Sequence, residues 1–125
     1  MNGWHHTYTH TTQGAPRAVI CATLARPEHP GDITARWVGA STPTASDWIQ
    51  AGILRKGDRM RVYVEQSRPY VLRQLGAPVP GHCYRFAIVS NGDWYTVTID
   101  GWRVPGAAAR VPSAVYVATD ERLSR

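Results

Sequence analysis

The sequence predicts an all-β fold, a two-sheet antiparallel sandwich of jelly-roll type. Apolar residues alternate with polar ones at a period of two, and turn segments rich in Gly and Pro recur between these runs. No stretch of about ten residues keeps a helical period. The spacing of the turns suits a sandwich of short strands. At 125 residues the chain is read as one domain, 1–125, long enough to bury a core.

In chain order, Arg17 to Leu24 is a short apolar run and Pro27 to Asp32 a turn cluster. Ala35 to Gly39, Trp48 to Ile53, Arg59 to Glu65, Tyr84 to Val89, Trp94 to Asp100 and Ala114 to Ala118 read as strands. Turns are expected around Pro43, at Lys56-Gly57-Asp58, at Pro78-Val79-Pro80-Gly81 and at Ser90-Asn91-Gly92-Asp93. The last is the clearest hairpin signal, because Asn-Gly supplies the positive φ angles of a tight turn. Pro69 to Ala77 is read as a helical turn and Gly106 to Arg110 as a small-residue loop.

Alternation assigns the buried sides. Ile49, Ala51 and Ile53 share a face, as do Met60, Val62 and Val64, then Tyr84, Phe86 and Ile88, then Tyr95, Val97 and Ile99. The opposite faces carry Trp48 and Gln50, then Arg61, Tyr63 and Glu65, then Trp94, Thr96, Thr98, Asp100 and Trp102. If these strands lie in one sheet, its outer face is a groove lined by flat rings and by amide and carboxylate groups, suited to an extended polymer. The alternative is that Trp94 and Trp102 cover the sheet beneath a loop.

Composition narrows the function. The formal charge is +5, and Lys56 is the single lysine among fourteen basic residues. These are spread along the chain, and the one cluster, Arg55 to Arg61, is interrupted by Asp58. It reads as a solvated turn, so no specific nucleic-acid partner is expected. No apolar run approaches the ~18 residues of a membrane-spanning helix, and no membrane partner is expected. Met1 to His6 lacks the features of a signal peptide. Cys21 and Cys83 suit either one disulfide or two buried thiols.

No metal or other cofactor is expected. His6 and His10 share a strand face but lie ~13 Å apart, so His5, His6 and His10 read as a polar N-terminal strand and not a metal site. His82 beside Cys83 has no partner at ligand spacing. Asp47 reads as a turn cap. There is no Ser-His-Asp, Cys-His or phosphate-loop motif.

With the alternation in place, Trp37-Val38-Gly39, Trp48-Ile49-Gln50-Ala51-Gly52-Ile53 and Tyr63-Val64-Glu65 resemble, in that order, segments of the eqolisins, the glutamic endopeptidases. Pro80-Gly81-His82 stands where that family commonly has Pro-Gly-Asp, and Trp94 to Ile99 resembles its next strand. The resemblance runs from Trp37 to Asp100. It implies a concanavalin-like sandwich, an extracellular setting and peptide hydrolysis at acid pH by a Gln/Glu pair. In that chemistry the carboxylate is the general base on a water and the amide holds the oxyanion.

The resemblance carries the catalytic glutamine onto Gln50. Aligning Tyr116 with the family's late Trp puts Thr119 at the glutamate position, with Glu121 two residues on. Glu121 is therefore one candidate acid. Glu65, opposite Gln50 if the two strands pair, is the other, unless it is a structural carboxylate bonded to Arg61 or Arg85. Trp37, Trp48, Tyr63, Trp94 and Trp102 are the candidate substrate-binding residues. The expected partner is a peptide or protein substrate. The alternative is a degenerate module that binds a peptide or glycan without cleaving it, or an interaction domain that oligomerises through the aromatic face.

Overall fold

Inward-facing β-branched and aromatic side chains at every second position need two opposed sheets to cover them, and the chain builds both. The computed structural model describes residues 3–11, 16–24, 31 and 33–124. Among these there is no helix. The strands are β1 (Gly3–Thr11), β2 (Arg17–Cys21), β3 (Ile33–Ser41), β4 (Trp48–Lys56), β5 (Arg59–Gln66), β6 (Val71–Gln74), β7 (Cys83–Asn91), β8 (Trp94–Ile99), β9 (Trp102–Arg110) and β10 (Val115–Ser124). One antiparallel sheet runs β1-β10-β3-β4-β5-β6 and the other β2-β7-β8-β9. The expected turn cluster Pro27 to Asp32 lies outside the described residues except for Gly31.

All four predicted inward faces meet in one core. Ile49, Ala51, Ile53, Val62 and Val64 of the six-stranded sheet pack against Phe86, Ile88, Tyr95, Val97 and Ile99 of the four-stranded sheet, with Met60 and Tyr84 at the margin. Gln66 is the most deeply buried polar side chain among the described residues. It is 2 % exposed on the inner side of β5, where its Nε2 donates to the Ala108 carbonyl at 2.8 Å and its Oε1 accepts from the Ala108 N–H at 3.2 Å. Both ends of a buried amide are thereby satisfied across the sandwich.

Tight hairpins set the register. Lys56 pairs with Arg59 around Gly57-Asp58, with Gly57 at φ 59°. Asn91 pairs with Trp94, so the loop residues are Gly92 and Asp93, and only Gly92 (φ 63°) takes a positive φ. The expected Asn-Gly turn is thus displaced by one residue into the Gly-first pattern. At the next hairpin both loop residues, Asp100 (φ 51°) and Gly101 (φ 79°), are left-handed.

Two expectations are corrected. Val71–Gln74, inside the expected helical turn, is the edge strand β6, because its backbone completes the ladder left open by β5. Gly106 to Arg110 is not a loop but the end of β9, where Ala107 and Ala109 are small enough to bury against the opposite sheet.

The cysteines form a disulfide, Cys21–Cys83, between directly paired residues of β2 and β7. His82, Asp100 and the start of β7 form a clasp close by. Asp100 accepts the Arg85 N–H at 2.8 Å and contacts His82 Nε2 at 2.7 Å. These bonds, the Arg85 N–H first, hold the Asp100 carboxyl below its usual pKa.

Candidate functional site

The Lys56–Arg59 hairpin fixes every pair above it, so Gln50 of β4 stands directly opposite Glu65 of β5 on the outer side of the six-stranded sheet. The Gln50 amide donates from Nε2 to Glu65 Oε1 at 2.9 Å. Tyr70 donates its hydroxyl to Glu65 Oε2 at 2.6 Å. One carboxylate therefore joins an amide and a phenol, and neither Arg61 nor Arg85 is its hydrogen-bond partner. The Arg61 guanidinium donates to the Met60 carbonyl.

The turn Ser67–Tyr70, with a cis Arg68–Pro69 peptide, carries Tyr70 back over the sheet. Its root is tied to β4. Ser67 N–H donates to the Trp48 carbonyl at 3.0 Å, and Trp48 N–H donates to Ser67 Oγ at 2.9 Å. An Arg68–Asp47 ion pair at 3.4 Å adds a further link. Asp47 also belongs to the turn cap, since its N–H and that of Ser46 donate to Thr42 Oγ1. The Trp48 and Tyr70 rings meet edge to face with centroids 6.4 Å apart.

The third strand leaves room beside the Gln50 side chain. Gly39 of β3 is the partner of Gln50, and a Cβ there would stand 3.0 Å from the Gln50 Cβ and 2.6 Å from the Ile49 carbonyl. The Trp-Val-Gly segment thus supplies a bare backbone beside Gln50.

Trp37 pairs with Gly52, which pairs with Tyr63, forming the neighbouring row on this face. Trp37 and Trp48 are half-buried, whereas Tyr63 is 3 % exposed and acts as floor. Glu121 is not brought to Gln50. Its backbone pairs with Ala35, while the row through Gln50 and Gly39 crosses β10 at Val117. Four residues along the strand and two strands across put its Cα ~16 Å from that of Gln50. Its side chain and those of His5, His6 and His10 lie outside the described residues.

Trp94 and Trp102 belong to the other sheet, so the expected single aromatic groove is divided. The chain changes sheets between β6 and β7, and the same alternation then points Trp94 to the opposite outer surface. Trp102, paired with core Ile99 and in phase with buried Val104, stands instead on the inward side at the hairpin end. The two tryptophans also sit at opposite ends of the β8–β9 hairpin, paired with Arg110 and Ile99, and are 53 % and 54 % exposed.

Tyr70 was not among the expected site residues. Its signal was the Pro69-Tyr70 pair just beyond Glu65, a position from which a turn can fold a ring back onto the strand it leaves. The bond to Glu65, then burial, then the Glu65 charge push its pKa up to about 12. Tyr95 is also raised to about 12, chiefly by burial and then by Tyr116. A raised phenol pKa means that the fold favours the protonated form. The associated stability is complete below pH 10 and is lost as pH rises towards 12. We expect absorbance titration to show both tyrosines ionising late. The loss of stability over this window should shrink in Tyr70→Phe, and an unchanged loss would mean that Tyr70 is not held by Glu65.

Fold and site together define a β-sandwich with an amide–carboxylate–phenol cluster on one outer face. Compared with known protein families and with curated proteins, the chain matches none of them.

Proposed function

We propose that the outer face of the six-stranded sheet binds an extended peptide and hydrolyses it in acid, with Gln50 and Glu65 as the reacting pair. The observation that carries this reading is the 2.9 Å contact between the Gln50 amide and the Glu65 carboxylate. The Gln amide has two N–H donors, and Glu65 takes one. The second is available to a substrate carbonyl. Glu65 accepts a proton from a water whose oxygen attacks the carbonyl carbon, and the Gln50 N–H holds the resulting oxyanion. Collapse breaks the C–N bond, and protonated Glu65 returns its proton to the departing amine. Tyr70 stays protonated throughout this range and steadies the other carboxylate oxygen. Trp37 and Trp48 supply flat apolar contact for the substrate.

A second reading, a module that holds a peptide or glycan on this face without cleaving it, is favoured by one specific feature. Both Glu65 oxygens already hold a donor, and Gln50 bonds the carboxylate directly, with no gap for a water between them.

Cleavage of casein from pH 2 to 7 separates the two. Under the hydrolase reading, Gln50→Ala and Glu65→Gln each lower the acid-range rate by roughly 100-fold or more, while Glu121→Ala leaves it unchanged. Loss in Glu121→Ala with retention in Glu65→Gln would move the base to β10. No cleavage by folded wild type at any pH would end the hydrolase reading and leave peptide and glycan binding to be measured on the same variants.

A further inference from the structure

The four-stranded sheet has an outer face of opposite character to the one just described. Across its four strands Arg17 pairs with Ala87, Ala87 with Thr98 and Thr98 with Arg103. Arg85 stands two residues from Ala87 on the same side of β7, opposite Val19. These arginines come from three distant parts of the sequence, and the strand order β2-β7-β8-β9 brings them onto one surface. All three are exposed. Between Arg17 and Arg85 lies a shallow, open depression of ≈ 660 Å³, floored by Ala87 and Thr98 and bordered by Val19 and Val89.

The charge on this face is only partly offset, by the field between Arg85 and Asp100 at one end. Among the described residues, no hydrogen bond or ion pair engages the guanidinium groups of Arg17, Arg85 and Arg103. The carboxylates at its two ends are already committed. Asp100 is held by the Arg85 N–H and His82, and Asp93 by Arg110 at 3.4 Å. The row from Arg17 to Arg103 spans three strand spacings, ~14 Å. Thr98, Thr96 and the exposed ring of Trp94 continue along β8 for a similar distance.

We propose that this face binds a sulfated polysaccharide. Planar guanidinium forks match the oxygens of sulfate esters, and Trp94 offers an indole face on which a sugar ring can stack. Small side chains at Ala87 and Thr98 allow a chain to lie close to the sheet. A polyanion carrying phosphate would satisfy the arginines equally well. The observation that favours the glycan is the Cys21–Cys83 disulfide on the same sheet, because such a bond persists in oxidising surroundings. The proposal uses a different face from the Gln50–Glu65 cluster and stands whether or not that cluster hydrolyses peptides.

The test is titration of the oxidised protein with heparin, with neutral dextran and with oligo(dT), each at several salt concentrations. Wild type is expected to bind heparin, with log affinity falling linearly in log salt, and not to bind dextran. The variant Arg17→Ser/Arg85→Ser/Arg103→Ser should fold normally, since these side chains make no described bonds. It should bind heparin roughly 100-fold less tightly, with a salt slope smaller by about 2. Arg59→Ser/Arg61→Ser, on the other sheet, should leave both unchanged. Equal loss in the two variants would mean attraction to net charge alone and would overturn the assignment to this face. Tighter binding of oligo(dT) than of heparin would overturn the choice of glycan, and no binding of heparin by folded wild type would overturn the proposal.

Discussion

Gly52→Ala is expected to destabilise the fold by about 3 kcal/mol or more, the upper end of what overpacking costs. A Cβ at this position would stand 1.9 Å from the Arg36 carbonyl oxygen and 2.8 Å from both the Arg36 carbonyl carbon and the Trp37 Cα. All three atoms are backbone, so no side chain can swing aside. β3 would have to move away from β4 in the middle of the six-stranded sheet and give up ladder hydrogen bonds. Gly52 lies between Trp37 and Tyr63, one same-face step from Gln50. The displacement would therefore reach the candidate site as well. Denaturant unfolding of the variant checks this, and a midpoint equal to wild type would be incompatible with the β3–β4 spacing described.

Reduction of the Cys21–Cys83 bridge should have an effect of similar size. The bridge closes a segment with a sequence separation of 62. Chain-entropy reasoning puts the lost stabilisation at about 4 kcal/mol for a loop of this length. That is a large fraction of the ~5–15 kcal/mol that holds a typical domain together. The loss should fall first on β2, which among the described strands pairs with β7 alone and carries Ile20 into the core. Unfolding with and without reductant, and of Cys21→Ser/Cys83→Ser, should show the same shift. Hydrogen exchange should show β2 opening before β4. Equal midpoints in oxidised and reduced protein would mean that the bridge ties together residues already held by packing.

Local chemistry made much of this fold legible. Alternation identified the inward faces of β4, β5, β7 and β8, because burial on one side of a sheet repeats every second residue. The Gly57-Asp58 turn made the Gln50–Glu65 pairing readable too, since a two-residue loop fixes all the pairs above it. Sheet membership was not readable. The parity of Trp94 along its strand was clear, but no local signal told which of two outer surfaces it would occupy. Trp102 was grouped with Thr98 because alternation was continued through Asp100-Gly101, a hairpin turn that resets it. Tyr70 reaches Glu65 only because the chain doubles back at Ser67–Tyr70. Arg17, Arg85 and Arg103 looked dispersed because their meeting depends on β2 pairing with β7, between residues far apart in the chain. The same long-range pairing decided between a disulfide and two thiols.

The Gln66 side chain carries a further consequence. With one donor and one acceptor on a single main-chain residue, it imitates a peptide unit and docks on Ala108 as a strand would. An amide turned end for end would set donor against donor and acceptor against acceptor. Sliding β9 by one residue would present Ala107 or Ala109, whose N–H and C=O project to the other side of the strand. Apolar packing tolerates small offsets between layers, but this contact tolerates neither error. It works as a key between the two sheets, permitting one mutual alignment and so holding the amide–carboxylate face and the arginine face at a fixed relation on opposite sides of the molecule.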